Sequence, residues 1–495
     1  MSNITNDAET EVTPVPSHED RGFFGQPRSL ANIFGVEMWE RFSFYGMQGI
    51  LLLYLFYSVN EGGLGIPQAT AAGIVGAYGG GVYLSTILGA WIADRLLGSE
   101  RVLFYSAIVI MIGHIALALL PGIPGLTAGL LLIAVGSGGL KANATSVVGT
   151  LYAPDDTRRD AGFSIFYLGI NLGALMGPIL TGLLQTTVGF HYGFGLAAVG
   201  MAIGLVQYSL GRKRLPDSAR IVHDPLPRAR FAAYGALALA AVAVIVVLSM
   251  TGVITASNLV TIVIGLTIVA TVVYFAVILT NKQVTGVERN RVYAFIPLFI
   301  ASAAFWSLYQ QQFTVVTLYA VDRLDRGLFG WEMPVSWVQS INPVFIILLS
   351  GAFAALWTWW GTKQPSTPIK FAIGTGVMGA AFLLFLPFVG GGDNSTPLLA
   401  LVGILFVFTI AELLLSPVGL SVATKLAPGV FKTQMVALFF LSVALGSAMS
   451  GLLAQWYETV PETVYFGVLG GIAIILGVLL ALIARPVLRL MGGVR

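Results

Sequence analysis

Three ionisable residues, Glu37, Glu40 and Arg41, lie close together in the apolar run IFGVEMWERFSFYGMQGILLLYLFY, residues 33–57. In a membrane-spanning helix such groups are costly unless they face a partner or a water-filled cavity. Glu37 and Arg41 are four apart and share a helix face. Glu40 is turned about 100° from Arg41 by the helical step. The group offers acids in more than one direction around one fixed cation. A lipid anchor has no use for that, whereas a transporter of protons or charge does.

Other polar residues interrupt later apolar runs. Lys141 stands in GSGGLKANATSVV, too deep to reach the interface cheaply, so it must face a carboxylate or a cavity. A structural pair with Glu37 or Glu40 and a functional role are compatible readings. Asn171, in FSIFYLGINLGALMGPIL, can cap a substrate amide or join two helices. Trp306, Tyr309 and Gln310 to Gln312 form a polar aromatic belt, with Gln310 one helical turn beyond Trp306. Gln339, Ser340 and Asn342 precede Pro343. Glu412 is a lone acid, followed by Ser416 and by Pro417, which frees a backbone carbonyl and lets the helix flex. Tyr78 and Tyr83 add hydroxyls, and Phe439 and Phe440 either line a pocket or pack. Arg41 and Lys141 in the first half, set against Glu412 in the second, suit a zwitterion lying between them.

The elements that must carry these residues are long apolar runs. We read fourteen: 32–59, 69–96, 102–121, 125–151, 160–185, 190–211, 230–250, 255–280, 293–320, 334–360, 368–389, 397–424, 434–457 and 463–484. They are too long and too continuously apolar for barrel strands. The fold class is an all-α polytopic membrane protein. With a cytoplasmic N-terminus, the outward loops hold only Arg323 and Arg326 and the spans only Arg41 and Lys141. The rest of the 26 lysines and arginines then fall in cytoplasmic tails and loops, which puts both termini in the cytoplasm. Residues 1–30 read as a disordered tail and not a signal peptide. Residues 31–211 make a six-helix bundle and 212–229 a basic linker. An extra helix pair, without internal charge and expected to face lipid, occupies 230–280. A second linker, 281–291, leads to a second six-helix bundle with a short tail, 292–495.

Composition agrees with this plan. Hydrophobic residues are 56% of the chain, charged residues 10%, and the mean hydropathy is +0.85. The 59 glycines suit close helix packing, including those at 79–81, where a phosphate loop has no supporting strand or Gly-Lys-Ser. There is no cysteine, and the four histidines, His18, His114, His191 and His223, are too scattered for a metal site. No Ser-His, acid-dyad or metal-ligand arrangement supports an enzyme. The basic segment 212–230 reads as a topology signal and a contact for anionic lipid, so the net charge of +3 calls for no nucleic acid.

The residues also carry a family resemblance. The E-x-x-E-R-F-x-x-Y-G pattern of Glu37, Glu40, Arg41, Phe42, Tyr45 and Gly46 resembles the first-span signature of the proton-dependent oligopeptide transporter family, a branch of the major facilitator superfamily. Lys141 with Asn143, the F-x-x-G-x-N-x-G-A stretch ending at Asn171, Gly173 and Ala174, and Glu412 with Ser416, Pro417, Gly419 and Leu420 are similar to its other signatures. Asp94, Arg95, Gly98 and Arg101 resemble the general facilitator motif, which clamps helices at the cytoplasmic face. The resemblance implies a 6+2+6 plan in a bacterial inner membrane, and proton-driven import of di- and tripeptides without cofactor or obligate protein partner. It assigns proton coupling to Glu37, Glu40, Arg41 and Lys141. It assigns peptide binding to Arg41, Tyr45, Tyr83, Lys141, Asn171, Trp306, Gln310, Asn342, Glu412 and Ser416.

Three positions depart from the pattern. Phe44 replaces the first of two tyrosines, Gln310 a coupling glutamate, and Gln48 an arginine. Glutamine cannot titrate. Coupling is therefore expected either to rest on Glu37 and Glu40, with Glu412 as a further candidate, or to be weaker or of different stoichiometry.

Overall fold

The structure is a computed structural model that describes residues 20–153 and 156–494. Its α-helices are α1 (Arg28–Phe56), α2 (Gln68–Ile92), α3 (Ser99–Leu119), α4 (Gly122–Gly149), α5 (Arg159–Thr187), α6 (Phe190–Gly211), α7 (Phe231–Met250) and α8 (Leu259–Thr280). They continue with α9 (Gly286–Tyr309), α10 (Val315–Asp322), α11 (Val338–Trp360), α12 (Thr367–Leu383), α13 (Leu398–Lys425), α14 (Lys432–Tyr457), α15 (Glu462–Leu482) and α16 (Ala484–Leu490). Each of the fourteen apolar runs holds one span. Thirteen helical stretches among the described residues are long and apolar enough to cross a membrane. The fourteenth is α1. Its charges and glycines dilute its hydropathy, yet its 29 residues extend about 43 Å, more than a bilayer core requires.

The ninth span is not the single helix its hydropathy suggested. Helix α9 ends at Tyr309, a 3₁₀ turn covers Gln310–Phe313, and α10 completes the crossing after Thr314 (φ −125°, ψ −94°). Within that turn Gln311 accepts from Tyr465 Oη (2.7 Å) of α15, a partner off the helix axis that helps to offset the break.

Helices α1–α6 pack on one another, as do α9 and α11–α15, and the two groups meet mainly through α2 against α14 and α5 against α11. Glycine sets the closeness of the first seam. A Cβ at Gly76 would meet Gly451 Cα at 2.5 Å, and one at Gly80 would meet Ala448 Cβ at 3.0 Å. The glycines near 79–81 thus serve mainly as helix contacts. At the second seam, Ser336 Oγ donates to Pro178 O (2.9 Å), Trp337 Nε1 to Ile179 O (3.0 Å) and Ser340 Oγ to Leu175 O (2.8 Å). Four two-residue strands decorate the same end. β1 (Leu324–Asp325) runs parallel to β4 (Thr396–Pro397), with Leu324 opposite Thr396, while β2 (Gly327–Leu328) and β3 (Trp331–Glu332) form a hairpin.

Two expectations are revised. The extra pair is not uniformly lipid-facing. None of the residues of α7 is buried, but α8 places Val260 and Ile264 against Ala77 of α2 and Ala448 of α14, over the seam. The tail expected over 1–30 is folded where the structure describes it, 20–30. Gln26 accepts from Tyr152 Oη (3.0 Å), Asp20 O accepts from Arg158 (3.1 Å), and α1 already begins at Arg28. His18 and the rest of that tail lie outside the described residues.

Candidate functional site

Helix α1 positions the first cluster. Arg41 is ion-paired with Glu37 one turn before it, and its Nη1 is 3.3 Å from Glu40 Oε2. Ser137 of α4 donates to Glu40 Oε1 at 3.0 Å. Glu37, Glu40 and Arg41 are all buried. The short reach between α1 and its neighbours is again set by glycine. A Cβ at Gly173 of α5 would meet Met38 O, and one at Gly177 would meet Phe42 O.

Lys141 does not pair with either acid. Among the described residues it forms no ion pair; its Nζ lies 4.3 Å from the centroid of Phe44 and 5.7 Å from that of Tyr83. The reason is occupancy: Arg41 and Ser137 already engage the carboxylates, and two ring faces attract the ammonium instead. Lys141 remains within electrostatic range of Glu37 and Glu40. An anion entering beside Tyr83 would therefore meet a cation that, among the described residues, is ion-paired with no carboxylate in this state.

The second cluster is built on α13. Glu412 is buried and accepts from Asn342 Nδ2 at 3.1 Å. The same amide donates to Thr409 Oγ1 (3.0 Å), and Asn342 Oδ1 accepts from Tyr309 Oη (3.2 Å). Asn342 is thus first a support for Glu412. No cation lies within ion-pair distance of Glu412 among the described residues, so a substrate ammonium would complete the site. Ser416 is one turn further and partly exposed. Tyr45 and Tyr83 lie within electrostatic range of both Arg41 and Glu412 and so adjoin both clusters. Tyr45 stacks on Phe313 (6.0 Å), and the buried Trp306 has no protein partner for its Nε1.

Of the three glutamines, Gln311 is consumed by Ser307 O (3.3 Å) and Tyr465 Oη (2.7 Å), and Gln312 is buried. Gln310 alone of the three stays partly exposed, half-way between Trp306 and the break. Asn171 donates to Tyr167 O of its own helix at 2.9 Å and does not bridge to another. Gln48 is buried with its Oε1 unpartnered.

A cavity of ≈ 1100 Å³ separates α2 and α4 from α13 and α14 at the end that carries the basic loops. Phe440 lines it and stacks on Tyr83 (6.4 Å), so the cavity ends one ring away from Lys141. Side-chain hydrogen bonds between the two helix groups, among the described residues, all lie at the opposite end, between α5 and residues 336–340, the 3₁₀ turn before α11 and its first turn. The molecule is closed at one end and open at the other.

The motif at 94–101 is used differently from expectation. Arg95 pairs with Asp224 of the linker (2.8 Å), Asp94 O accepts from Asp224 N (3.0 Å), and Arg101 is exposed. Gly98 (φ +80°) runs against the Arg220 backbone, where no side chain fits. The buried charge is Glu100, which sequence reasoning missed. It accepts from Arg212 Nε (2.8 Å) and Nη2 (3.0 Å) and faces Arg220 Nε at 3.5 Å. The acid directly before Arg101, facing a basic linker of opposite sign, was the available signal. Ser137, one turn before Lys141, and Thr409, one turn before Glu412, were legible from spacing in the same way. Replacing Glu100 with Ala is expected to cost about 2 kcal/mol, because two partly buried guanidinium groups lose their shared acceptor. A lower apparent Tm of the purified protein measures it; an unshifted melt would mean that the clamp adds nothing.

The POT family model (PTR2) matches residues 100–472. Over its whole length the chain is 43% identical to the uncharacterized transporter YclF of Bacillus subtilis strain 168, with all of both chains covered. It is 40% identical to the di-/tripeptide transporter of Lactococcus lactis subsp. cremoris, over 96% of this chain and 99% of that one. The crystal structure of a peptide transporter POT in complex with sulfate superposes with a TM-score of 0.91 at 43% identity, covering 96% of this chain and 98% of that one.

Proposed function

The chain belongs to the POT family, and on that premise we propose that it is a proton-coupled symporter that imports di- and tripeptides by alternating access. The observation that carries the reading is the charge-separated site. Arg41 of α1 and Lys141 of α4 supply cations from the first helix group and Glu412 of α13 an acid from the second, with Tyr45 and Tyr83 in electrostatic range of both Arg41 and Glu412, which suits the two ends of a zwitterionic peptide.

Residues 31–211 and 292–495 act as the two moving bundles. The basic end faces the cytoplasm of a bacterial inner membrane, with both termini inside. The present state is then inward-facing, its outer end sealed by α5 with α11 and by α2 with α14. From the outward-facing state, protons reach Glu37 and Glu40 and weaken their hold on Arg41. Arg41 and Lys141 take the peptide carboxylate while Glu412 takes the amine. Asn171, Asn342, Trp306, Gln310 and Ser416 complete the pocket. The bundles rock, peptide and proton leave inward, and the Glu37–Arg41–Glu40 pairs re-form. Peptide and proton must each favour the same state, which is what couples them. Asp94, Arg95 and Gly98 fasten the linker at the inner face, with Arg101 free for lipid headgroups.

The test is uptake of labelled dialanine into liposomes that hold only this protein. Accumulation should collapse when the inward proton gradient is dissipated; equilibration insensitive to both the gradient and the potential would make the protein a facilitator. Gln310 gives that second reading its footing, since it removes one titratable group from the pocket. Replacing Gln310 with Glu is expected to steepen the dependence of uptake on external pH. An identical profile would place position 310 outside the coupling path. A related symporter for another small anion would leave Glu412 without an amine, and dialanine would then fail to compete.

A further inference from the structure

A second cavity, ≈ 510 Å³, lies within the second helix group at its basic end, between α11, α12, α13 and α16. Two cations line it, Lys370 of α12 and Lys425 of α13, and no aspartate or glutamate does. Lys370 is buried. Its Nζ is held by the neutral Gln364 Oε1 at 2.6 Å and lies 4.3 Å over the Trp357 ring. Among the described residues neither lysine forms an ion pair, so none of these residues neutralises the pair. The hydroxyl-bearing Ser366 and Thr367 and the start of α12 share the same rim, while Leu413, Val422 and Leu488 form an apolar wall.

Position in the membrane selects the ligand. Trp357, Trp359 and Trp360 crowd the basic end of α11, with Trp359 80% exposed, and such rings mark the headgroup level. A pocket with cations at that level and an apolar wall beside them fits an amphiphile with an anionic head. We propose that this cavity binds the phosphodiester headgroup of an anionic glycerophospholipid, with Lys370 and Lys425 on the phosphate and the first acyl carbons against Leu413 and Leu488. Pro417 lines the cavity too, one turn beyond Leu413 on the helix that carries Glu412. The bound lipid therefore braces α13 where its backbone hydrogen bonding is interrupted.

Native mass spectrometry of the full chain, titrated with phosphatidylglycerol and separately with phosphatidylcholine, tests this. The wild type should prefer phosphatidylglycerol. Lys370→Gln and Lys425→Gln should each weaken it about five-fold, while Lys363→Gln, exposed and outside the cavity, should not. Lys425 is exposed, so its variant keeps the test valid should the buried Lys370→Gln misfold, and Lys425→Arg should restore binding. Equal affinity for the two lipids, or Lys425→Gln binding like the wild type, would overturn the proposal. Inorganic phosphate displacing the lipid at equal concentration would also overturn it, since the site would then be one for a free anion.

Discussion

Replacing Lys141 with alanine is expected to abolish accumulation of dialanine against its gradient while leaving the protein folded. Lys141 forms no ion pair that its loss would orphan; its Nζ rests over Phe44 and Tyr83, and both rings keep their other neighbours, Tyr78 and Phe440. The structural cost is therefore small. The functional cost is large, because the ammonium is a cation at the mouth of the cavity that is not already bonded to an acid. Truncating one partner of a desolvated charge pair costs about 2 kcal/mol or more, which is about 30-fold in peptide binding or rate. Proton-driven uptake into liposomes measures it, beside a melt to check folding. A variant that concentrates peptide as well as its parent would remove Lys141 from the mechanism. Arg41 would not give so clean a result: it binds two buried carboxylates, and its removal leaves both uncompensated.

The second large effect is expected at Gly76. Valine there puts a Cβ 2.5 Å from Gly451 Cα and 2.6 Å from Gly451 N, with Ser447 O at 3.1 Å. These are backbone atoms of α14 and cannot rotate aside, so the helices must separate. Overpacking of this kind costs about 1–3 kcal/mol. The contact belongs to the closed end, so the strain acts on the sealed state and favours the state in which α2 and α14 part there. Uptake should fall about ten-fold or more as that bias traps one conformation. Gly81→Val is the matched control, since a Cβ at Gly81 meets nothing within 4 Å. The chain has no cysteine, so Gln339→Cys can report access to the sealed end without background. An impermeant maleimide should label it faster in the Gly76→Val protein. Equal labelling and normal uptake would show that this seam does not move.

These two positions illustrate what was legible in advance. Lys141 was visible as a misplaced charge, because hydropathy is a local property and a lone ammonium in an apolar run violates it without reference to any other residue. The same reasoning found the Glu37, Glu40 and Arg41 group and Glu412. It also found the spans themselves, including the crossing at residues 190–211, whose helix has those bounds in the structure. Gly76, in contrast, looked like any of 59 glycines. Its importance depends on Gly451, and no local signal pairs them.

How many times the chain crosses, which spans bury charge and which end is basic can all be read along the chain, since each follows from composition along a helix whose backbone hydrogen bonds must close internally. Tertiary structure decided which partner each charge has. Lys141 meets rings and not acids because Arg41 and Ser137 reach those acids first. Glu412 is held by Asn342, Glu100 gathers Arg212 and Arg220, and the ninth span breaks where Gln311 meets Tyr465. Partner choice between distant segments depends on how helices pack, and packing is fixed by the fit of side chains in three dimensions, which no periodicity along one helix contains.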